Sequence, residues 1–199
     1  MGNNAAMQTL LPRIARLPAV LLAVQLAGCA QLAVKAVSTG ALVAIDRRTA
    51  GAQLEDETIQ LRAGSALGEV VGPSANISVT SYNRQVLLTG EVPEAASKQK
   101  AELAASQIEN VRRVFNELGV MNASTLPQRG FDAYLTGRVR ASLFDAKDLT
   151  VTAFRVVTER GTVYLMGRVT RREADRATEL VRQIGGVKRV VRLFEIIGE

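Results

Sequence analysis

The strongest constraint on the fold is an internal repeat. Residues 77–92 match residues 154–169 without a gap. One segment before this block and one after it also recur, in the same order and at nearly the same spacing. Three matching blocks in one order indicate two copies of one structural module. We place the first copy at residues 54–121 and the second at residues 130–198.

Each copy follows the same succession of sequence patterns. A helical pattern of apolar residues comes first, then two β-rich runs separated by turn residues, then a second helical pattern and a final β-rich run. This order predicts an α+β fold with two tandem αββαβ modules, each a three-stranded mixed sheet packed against two helices. One such module buries little apolar surface alone, so docking of the two modules on each other would enlarge the core.

The predicted helices carry recognisable end signals. Glu55, Asp56 and Glu57 are expected in the first turn of the first helix, where the helix dipole favours negative charge. Gly186 follows the second helix of the second copy, as is common at helix C-termini. The first copy has Asn110 at the matching position, and asparagine tolerates the left-handed conformation that such a turn requires.

The N-terminal region has the pattern of a secretory signal. Two arginines precede an apolar run at residues 17–24, and Leu26-Ala27-Gly28-Cys29 follows it. The last four residues resemble a bacterial lipobox, whose cysteine becomes the acylated first residue of the mature protein. We therefore expect a signal peptide at residues 1–28, lipidation at Cys29, and an acylated N-terminus and tether at residues 29–53. An ordinary cleavage site beside a chance cysteine is the alternative.

The residues after Cys29 bear on localisation. Ala30 and Gln31 follow the cysteine, and neither is Asp. By resemblance to the sorting rule for bacterial lipoproteins, this sequence indicates a lipid-anchored protein at the periplasmic face of the outer membrane. The apolar run at residues 17–24 is short for a membrane-spanning helix.

Missing residue types exclude several kinds of active site. The chain contains no His and one Cys, which excludes zinc centres, Ser-His-Asp triads and Cys-His pairs. The Asp and Glu residues form no recognisable catalytic pair. We therefore predict a non-enzymatic protein with no catalytic residues, no cofactor and no metal site. The export signal and the lack of a Gly-x-x-Gly clamp argue against nucleic acid as a partner.

A glycine motif recurs at the end of the second β-rich run of each copy. It is Leu-Thr-Gly-Glu-Val at residues 88–92 and Leu-Met-Gly-Arg-Val at residues 165–169. Together with Gly-Val-Lys-Arg-Val at residues 186–190, it resembles the BON domain, a family named for bacterial osmotically induced and nodulation proteins. The resemblance implies an αββαβ fold, binding of an anionic phospholipid membrane through the second module, a role in envelope integrity, and no catalytic activity.

Gly90 and Gly167 occupy the centre of this motif. We interpret both as structural glycines that provide either a positive φ or close backbone packing. A ligand-approach role is the alternative, and it would allow substitution to abolish binding while the module stays folded.

The two modules differ in charge. Residues 54–121 contain six Lys or Arg and nine Asp or Glu, whereas residues 128–199 contain fourteen and nine. Folding alone does not require this difference, whereas contact with anionic headgroups favours it. The second module is therefore the predicted membrane-binding module, and random variation of surface charge is the alternative.

The predicted membrane contact is the first helix of the second module. A tyrosine there can place its ring toward acyl chains and its hydroxyl at the headgroups, and an arginine can pair with phosphate. The predicted lipid-binding residues are Tyr134, Arg138, Ala141, Arg129 and Arg140. Packing of Tyr134 on the other module is the alternative. The alternative function is a protein-interaction module that docks on envelope-assembly or division proteins through an exposed apolar patch.

Overall fold

The structure is a computed structural model that describes residues 46–72 and 75–198. The predicted signal peptide, Cys29 and most of the predicted tether lie outside these residues. The described residues lie in one compact unit. In the described ranges, no helix combines the length and the apolar character needed to cross a membrane.

The first module consists of a helix, a β-hairpin, a second helix and an interrupted strand. Its elements are α1 (Ala50–Val71), β1 (Asn76–Tyr82), β2 (Gln85–Val92), α2 (Ala95–Ser106), β3 (Arg113–Asn116) and β4 (Gly119–Val120). β1 pairs antiparallel with β2, whereas β3 and β4 both pair parallel with β2. The interruption lies at Leu118, which is buried in the core instead of continuing the ladder.

The second module repeats this order with an uninterrupted last strand. Its elements are α3 (Leu126–Asp145), a 3-10 turn (Val151–Ala153), β5 (Phe154–Glu159), β6 (Thr162–Val169), α4 (Arg171–Arg182) and β7 (Arg189–Ile196). β5 pairs antiparallel and β7 parallel with the central strand β6. The two mixed sheets and four helices confirm the predicted α+β class and the tandem αββαβ arrangement.

The start of α1 differs from the sequence prediction. The Thr49 hydroxyl accepts a hydrogen bond of 3.1 Å from the amide of Ala52, so the helix begins at Ala50. The acidic residues 55–57 therefore lie in the second turn, and their predicted first-turn placement was wrong. Asp56 is buried, so the helix dipole does not explain its presence.

Asp56 and the matching Asp132 each hold a hairpin turn. The carboxylate of Asp56 accepts hydrogen bonds of 2.7 Å from the two backbone amides of the β1–β2 turn. The carboxylate of Asp132 does the same at 2.8 Å for the β5–β6 turn. All four turn residues have positive φ, the conformation of a two-residue hairpin loop. Each first helix is thus fixed to the hairpin of its own module.

The two motif glycines provide close backbone packing. Gly90 has a φ of +108°, and an added Cβ would overlap the carbonyl oxygen of Asn76. A Cβ at Gly167 would lie 2.5 Å from the carbonyl oxygen of Ala153. This geometry supports the structural interpretation of both glycines. The left-handed conformation expected at Asn110 is confirmed, with a φ of +66°.

Three hydrophobic clusters form the interior. One lies between the helices and sheet of each module, and the third joins the two sheets. The buried members of this inter-sheet cluster are Tyr82, Leu87, Tyr164, Met166 and Leu193. β2 and β6 are therefore buried on both faces, which explains their continuous apolar runs. The result is four layers: helices, sheet, sheet, helices.

Polar contacts reinforce the packing of the modules. The Tyr82 hydroxyl donates a hydrogen bond of 3.2 Å to the carbonyl oxygen of Ala153. Arg160, in the β5–β6 turn, forms an ion pair of 2.6 Å with the buried Glu91 of β2. Each contact joins a residue of the first module to one of the second.

Residues 46–48 contact both modules. The guanidinium of Arg47 donates one hydrogen bond of 2.7 Å to each carboxylate oxygen of Glu173 at the start of α4. The neighbouring Arg48 forms an ion pair of 2.7 Å with Asp56 in α1. The end of the predicted tether is therefore part of the fold, and it joins α1 to α4.

Candidate functional site

Helix α3 is held to its sheet along one side. Leu135, Val139 and Leu143 are fully buried there, and Asp132 lies on the same side. Because an α-helix has 3.6 residues per turn, the residues half a turn away from these four must face solvent. The core packing thus determines which side of α3 is outermost.

The outer side of α3 exposes large apolar side chains. Leu126, Tyr134 and Phe144 expose 78%, 59% and 74% of their surfaces there, and Phe131, on the flank that also carries Arg138, exposes 48%. The rings of Phe131 and Tyr134 lie 6.2 Å apart, centroid to centroid. Several exposed apolar residues on one helix side are typical of a protein or membrane contact.

Three arginines border this outer side. Arg129 and Arg140 are separated by about three helical turns, so they lie on one edge, and Arg138 lies on the other. Arg129 donates hydrogen bonds of 3.2 and 3.0 Å to the carbonyl oxygen of Ser124. Within the part of the chain that the structure describes, neither Arg138 nor Arg140 forms an ion pair. Their charge is thus free for a ligand.

The five residues that the sequence predicted for lipid contact are all exposed on α3. Tyr134 and Ala141 are separated by about two helical turns and therefore lie on the same side of the helix. Tyr134 is not part of the inter-sheet cluster, which contains Tyr82 and Tyr164 instead. The structure thus leaves Tyr134 accessible to a ligand.

A profile of the BON domain matches residues 55–122 and residues 131–198. The chain belongs to the BON-domain family. The two matched segments correspond to the two modules described above, which are hereafter the first and second BON domains.

Three bacterial proteins are similar in sequence to most of this chain. It is 33% identical over 174 residues to outer membrane lipoprotein DolP of Haemophilus influenzae, covering 86% of this chain and 90% of that protein. It is 29% identical over 155 residues to the 21 kDa hemolysin of Actinobacillus pleuropneumoniae, covering 77% of this chain and 80% of that protein. It is 28% identical over 157 residues to osmotically-inducible protein Y of Escherichia coli, covering 77% of this chain and 78% of that protein.

The first BON domain lacks two features of the α3 outer side. Thr58 stands where the second domain has Tyr134. Arg62 stands where the second domain has Arg138, and it forms an ion pair of 3.0 Å with Glu109. The tyrosine and the unpaired arginine are therefore specific to the second BON domain, whereas exposed apolar residues are not, because α1 exposes Leu54 and Leu61.

A groove of about 460 Å³ separates α3 from α4 beside this outer side. Arg138 and Ala141 line it from α3, and Arg176 lines it from α4. Arg176 also forms an ion pair of 3.3 Å with Asp148. The groove thus places two guanidinium groups next to an apolar helix side.

Sequence reasoning missed Leu126, Phe131 and Phe144. A signal for two of them was present, because the spacing between Leu126 and Phe144 corresponds to a whole number of helical turns and places both on one side.

In the described ranges, no cluster of three His, Cys, Asp or Glu side chains could hold a metal ion.

Proposed function

We propose that this protein is a non-enzymatic, lipid-anchored protein of the outer membrane. It faces the periplasm, binds anionic phospholipid through helix α3 of its second BON domain, and supports envelope integrity. The observation that carries this proposal is the outer side of α3, where exposed apolar rings lie between exposed arginines.

The apolar residues suit the boundary between headgroups and acyl chains. Tyr134 has an apolar ring and a polar hydroxyl, a combination favoured at membrane interfaces. Phe144 and Leu126 lie at opposite ends of α3 and expose 74% and 78% of their surfaces. A helix lying flat on the membrane would bury all three side chains at once.

The charges suit an anionic surface in particular. Each Lys or Arg near such a surface contributes about 1 kcal/mol of binding free energy, which is about a fivefold change in affinity. Arg138 and Arg140 are both exposed on α3 and border the apolar side chains. Because this term is electrostatic, the proposal requires binding to weaken as salt concentration rises.

Vesicle co-sedimentation of residues 44–199 tests the lipid contact. We expect binding to vesicles with phosphatidylglycerol and little binding to pure phosphatidylcholine vesicles. Arg138→Ala is expected to weaken binding about fivefold, and Tyr134→Ala also weakens it. Arg62→Ala, at the repeat-matched position in the first BON domain, is the control and should leave binding unchanged. Equal binding to both vesicle types, or an equal loss for Arg62→Ala, would refute the proposal.

The anchoring proposal rests on the lipobox-like residues 26–29 and on the relative named an outer membrane lipoprotein. Acyl chains at Cys29 would attach the chain stably, since each buried CH₂ contributes about 0.8 kcal/mol. Lipid binding by the second BON domain would then select where in the membrane the anchored protein lies. Fractionation of cells expressing Cys29→Ala tests this, and undiminished recovery in the outer membrane would contradict it.

A second candidate function is docking of another envelope protein. It is favoured by a different surface, the outer edge of strand β3 in the first BON domain. Leu103 on the adjacent helix α2 exposes 61% of its surface beside this edge.

A further inference from the structure

Strand β3 is an open edge of the first sheet. The sheet order is β1-β2-β3, and in the described part of the chain no strand pairs with the outer side of β3. The amide of Arg112 donates a hydrogen bond of 2.8 Å toward β2, to the carbonyl oxygen of Arg84. Because alternate residues of a strand point their backbone groups in opposite directions, those of Arg113 and Phe115 point outward. Such an edge can pair with an added strand.

A groove accompanies this edge. It lies between α2 and β3 and has a volume of about 490 Å³. Leu103 lines it from α2, and Val111 and Val114 line it from the strand side. An apolar side chain of an added strand would therefore find apolar partners on the helix side of the sheet.

The charges at this edge are positive and available. Arg112 and Arg113 are both exposed, and neither forms an ion pair with any residue that the structure describes. Glu102 also lines the groove, but its carboxylate accepts a hydrogen bond of 3.0 Å from the Asn116 amide group. The side chain of Arg113 shares the sheet face of Phe115, with 5.6 Å between its guanidinium carbon and the ring centroid, and Arg113 is also one of the residues that line the groove. A carboxylate on that face of an added strand would meet Arg113.

The second BON domain provides an internal comparison. Its matching edge is β7, and the groove beside it measures about 250 Å³. An ion pair of 2.9 Å between Asp175 of α4 and Arg192 of β7 joins the helix to this strand. The matching residues in the first domain are Gln99 and Asn116, which cannot form an ion pair.

The helix residue beside the groove also differs. Glu179 stands in the second domain where Leu103 stands in the first. A charged side chain beside an edge strand is a common protection against strand addition. The helix side of the β7 edge thus carries an acidic residue and an ion pair, whereas the helix side of the β3 edge carries the exposed Leu103.

We propose that the outer edge of β3 and its groove bind an extended peptide segment of a partner protein with alternating apolar and acidic residues. The segment adds a strand to the sheet through the outward backbone groups of Arg113 and Phe115. Its apolar side chains contact Leu103 in the groove, and its carboxylates pair with Arg113. This site is independent of the lipid contact on α3.

A labelled nine-residue peptide of alternating valine and glutamate, titrated into residues 44–199 and followed by fluorescence anisotropy, tests this. We expect saturable binding, at least tenfold weaker binding of a valine–lysine peptide, and loss of binding when alternate peptide nitrogens are methylated. Backbone amide signals of Arg113 and Phe115 should shift in NMR spectra. Absence of binding, or equal binding of the N-methylated peptide, would overturn the proposal.

Leu103→Glu, which copies the residue of the second domain, should weaken peptide binding at least tenfold. Leu54→Glu is the matched control, because Leu54 is similarly exposed on α1 of the same domain, and it should change binding less than twofold. An equal loss for both variants would refute the site. If Leu103→Glu instead weakens binding to phosphatidylglycerol vesicles, the edge is a lipid contact and the peptide proposal fails.

Discussion

The ion pair between Arg47 and Glu173 allows a quantitative prediction. The hydrogen bonds from Arg47 are the main cause that lowers the pKa of Glu173 from its usual value near 4.5 to about 2. Burial of Glu173 opposes this effect, and the Thr170 backbone and hydroxyl add to it. The change in pKa between the unfolded and folded protein corresponds to about 3 kcal/mol of folding free energy.

Glu173→Gln removes this contribution with little change of shape. Glutamine still suits the capping box with Thr170 that begins α4, so the variant isolates the charge of residue 173. We expect a loss of about 3 kcal/mol at pH 7, or about 6–12 °C in Tm for a unit of this size. Urea unfolding of residues 44–199, followed by circular dichroism, measures the loss.

The lowered pKa of Glu173 determines how its contribution to stability changes with pH. Because the folded-state pKa is lowered, the stabilisation by Glu173 is present above about pH 4.5 and is lost as the pH falls toward 2. The difference between wild type and Glu173→Gln should therefore shrink over that range. Glu179→Gln is the control, since its ion pair with Arg182 is exposed and is expected to contribute less than about 0.5 kcal/mol. A Glu173→Gln effect that is equally small, or that does not depend on pH, would refute the reasoning.

Two further predictions concern other sites. Burial, and then the nearby carboxylates of Glu91 and Asp132, raise the pKa of Glu159 to about 7. Ionisation of Glu159 therefore lowers the free energy of unfolding by at most about 3 kcal/mol above pH 7. Below about pH 4.5 Glu159 is protonated in both the folded and the unfolded protein, and this effect is absent. Urea unfolding of Glu159→Gln should therefore reveal stabilisation at pH 8 but not at pH 4.5, and equal stabilisation at both would contradict this. Gly90→Ala is expected to destabilise by about 3 kcal/mol or more in the same assay, because a Cβ would overlap a backbone carbonyl oxygen. Gly64→Ala, where a Cβ meets nothing, should stabilise α1 by about 1 kcal/mol, and equal losses at both glycines would be inconsistent with this explanation.

The internal repeat made most of the fold predictable. Two copies must have the same element order, so weak periodicity in one copy is supported by the other. The asparagine at position 110 was interpretable for the same reason, because Gly186 at the matching position indicated a left-handed turn. The break between β3 and β4 has no such signal, since residues 189–196 form a continuous strand in the second copy.

The roles of buried charged residues could not be predicted from the residues next to them in the sequence. Asp56 lies in a run of three acids and was assigned to the helix dipole, whereas it holds the distant β1–β2 turn through the amide of Asn83. The partner that identifies its role is far away in sequence. Asp132, the repeat-matched residue of the second copy, was the available signal, because an acid at the same position in both copies indicates a shared contact.

The packing of the two sheets separates the two proposed contacts. The inner side of α3 packs on its own sheet, and the other face of that sheet packs on the first sheet through Tyr164 and Met166. The outer side of α3 therefore points away from the first BON domain. The edge of β3 belongs to that first domain, so a membrane on α3 and a peptide on β3 do not compete for the same residues. If both proposals hold, the two ligands bind at the same time, and we expect phosphatidylglycerol vesicles not to displace the valine–glutamate peptide.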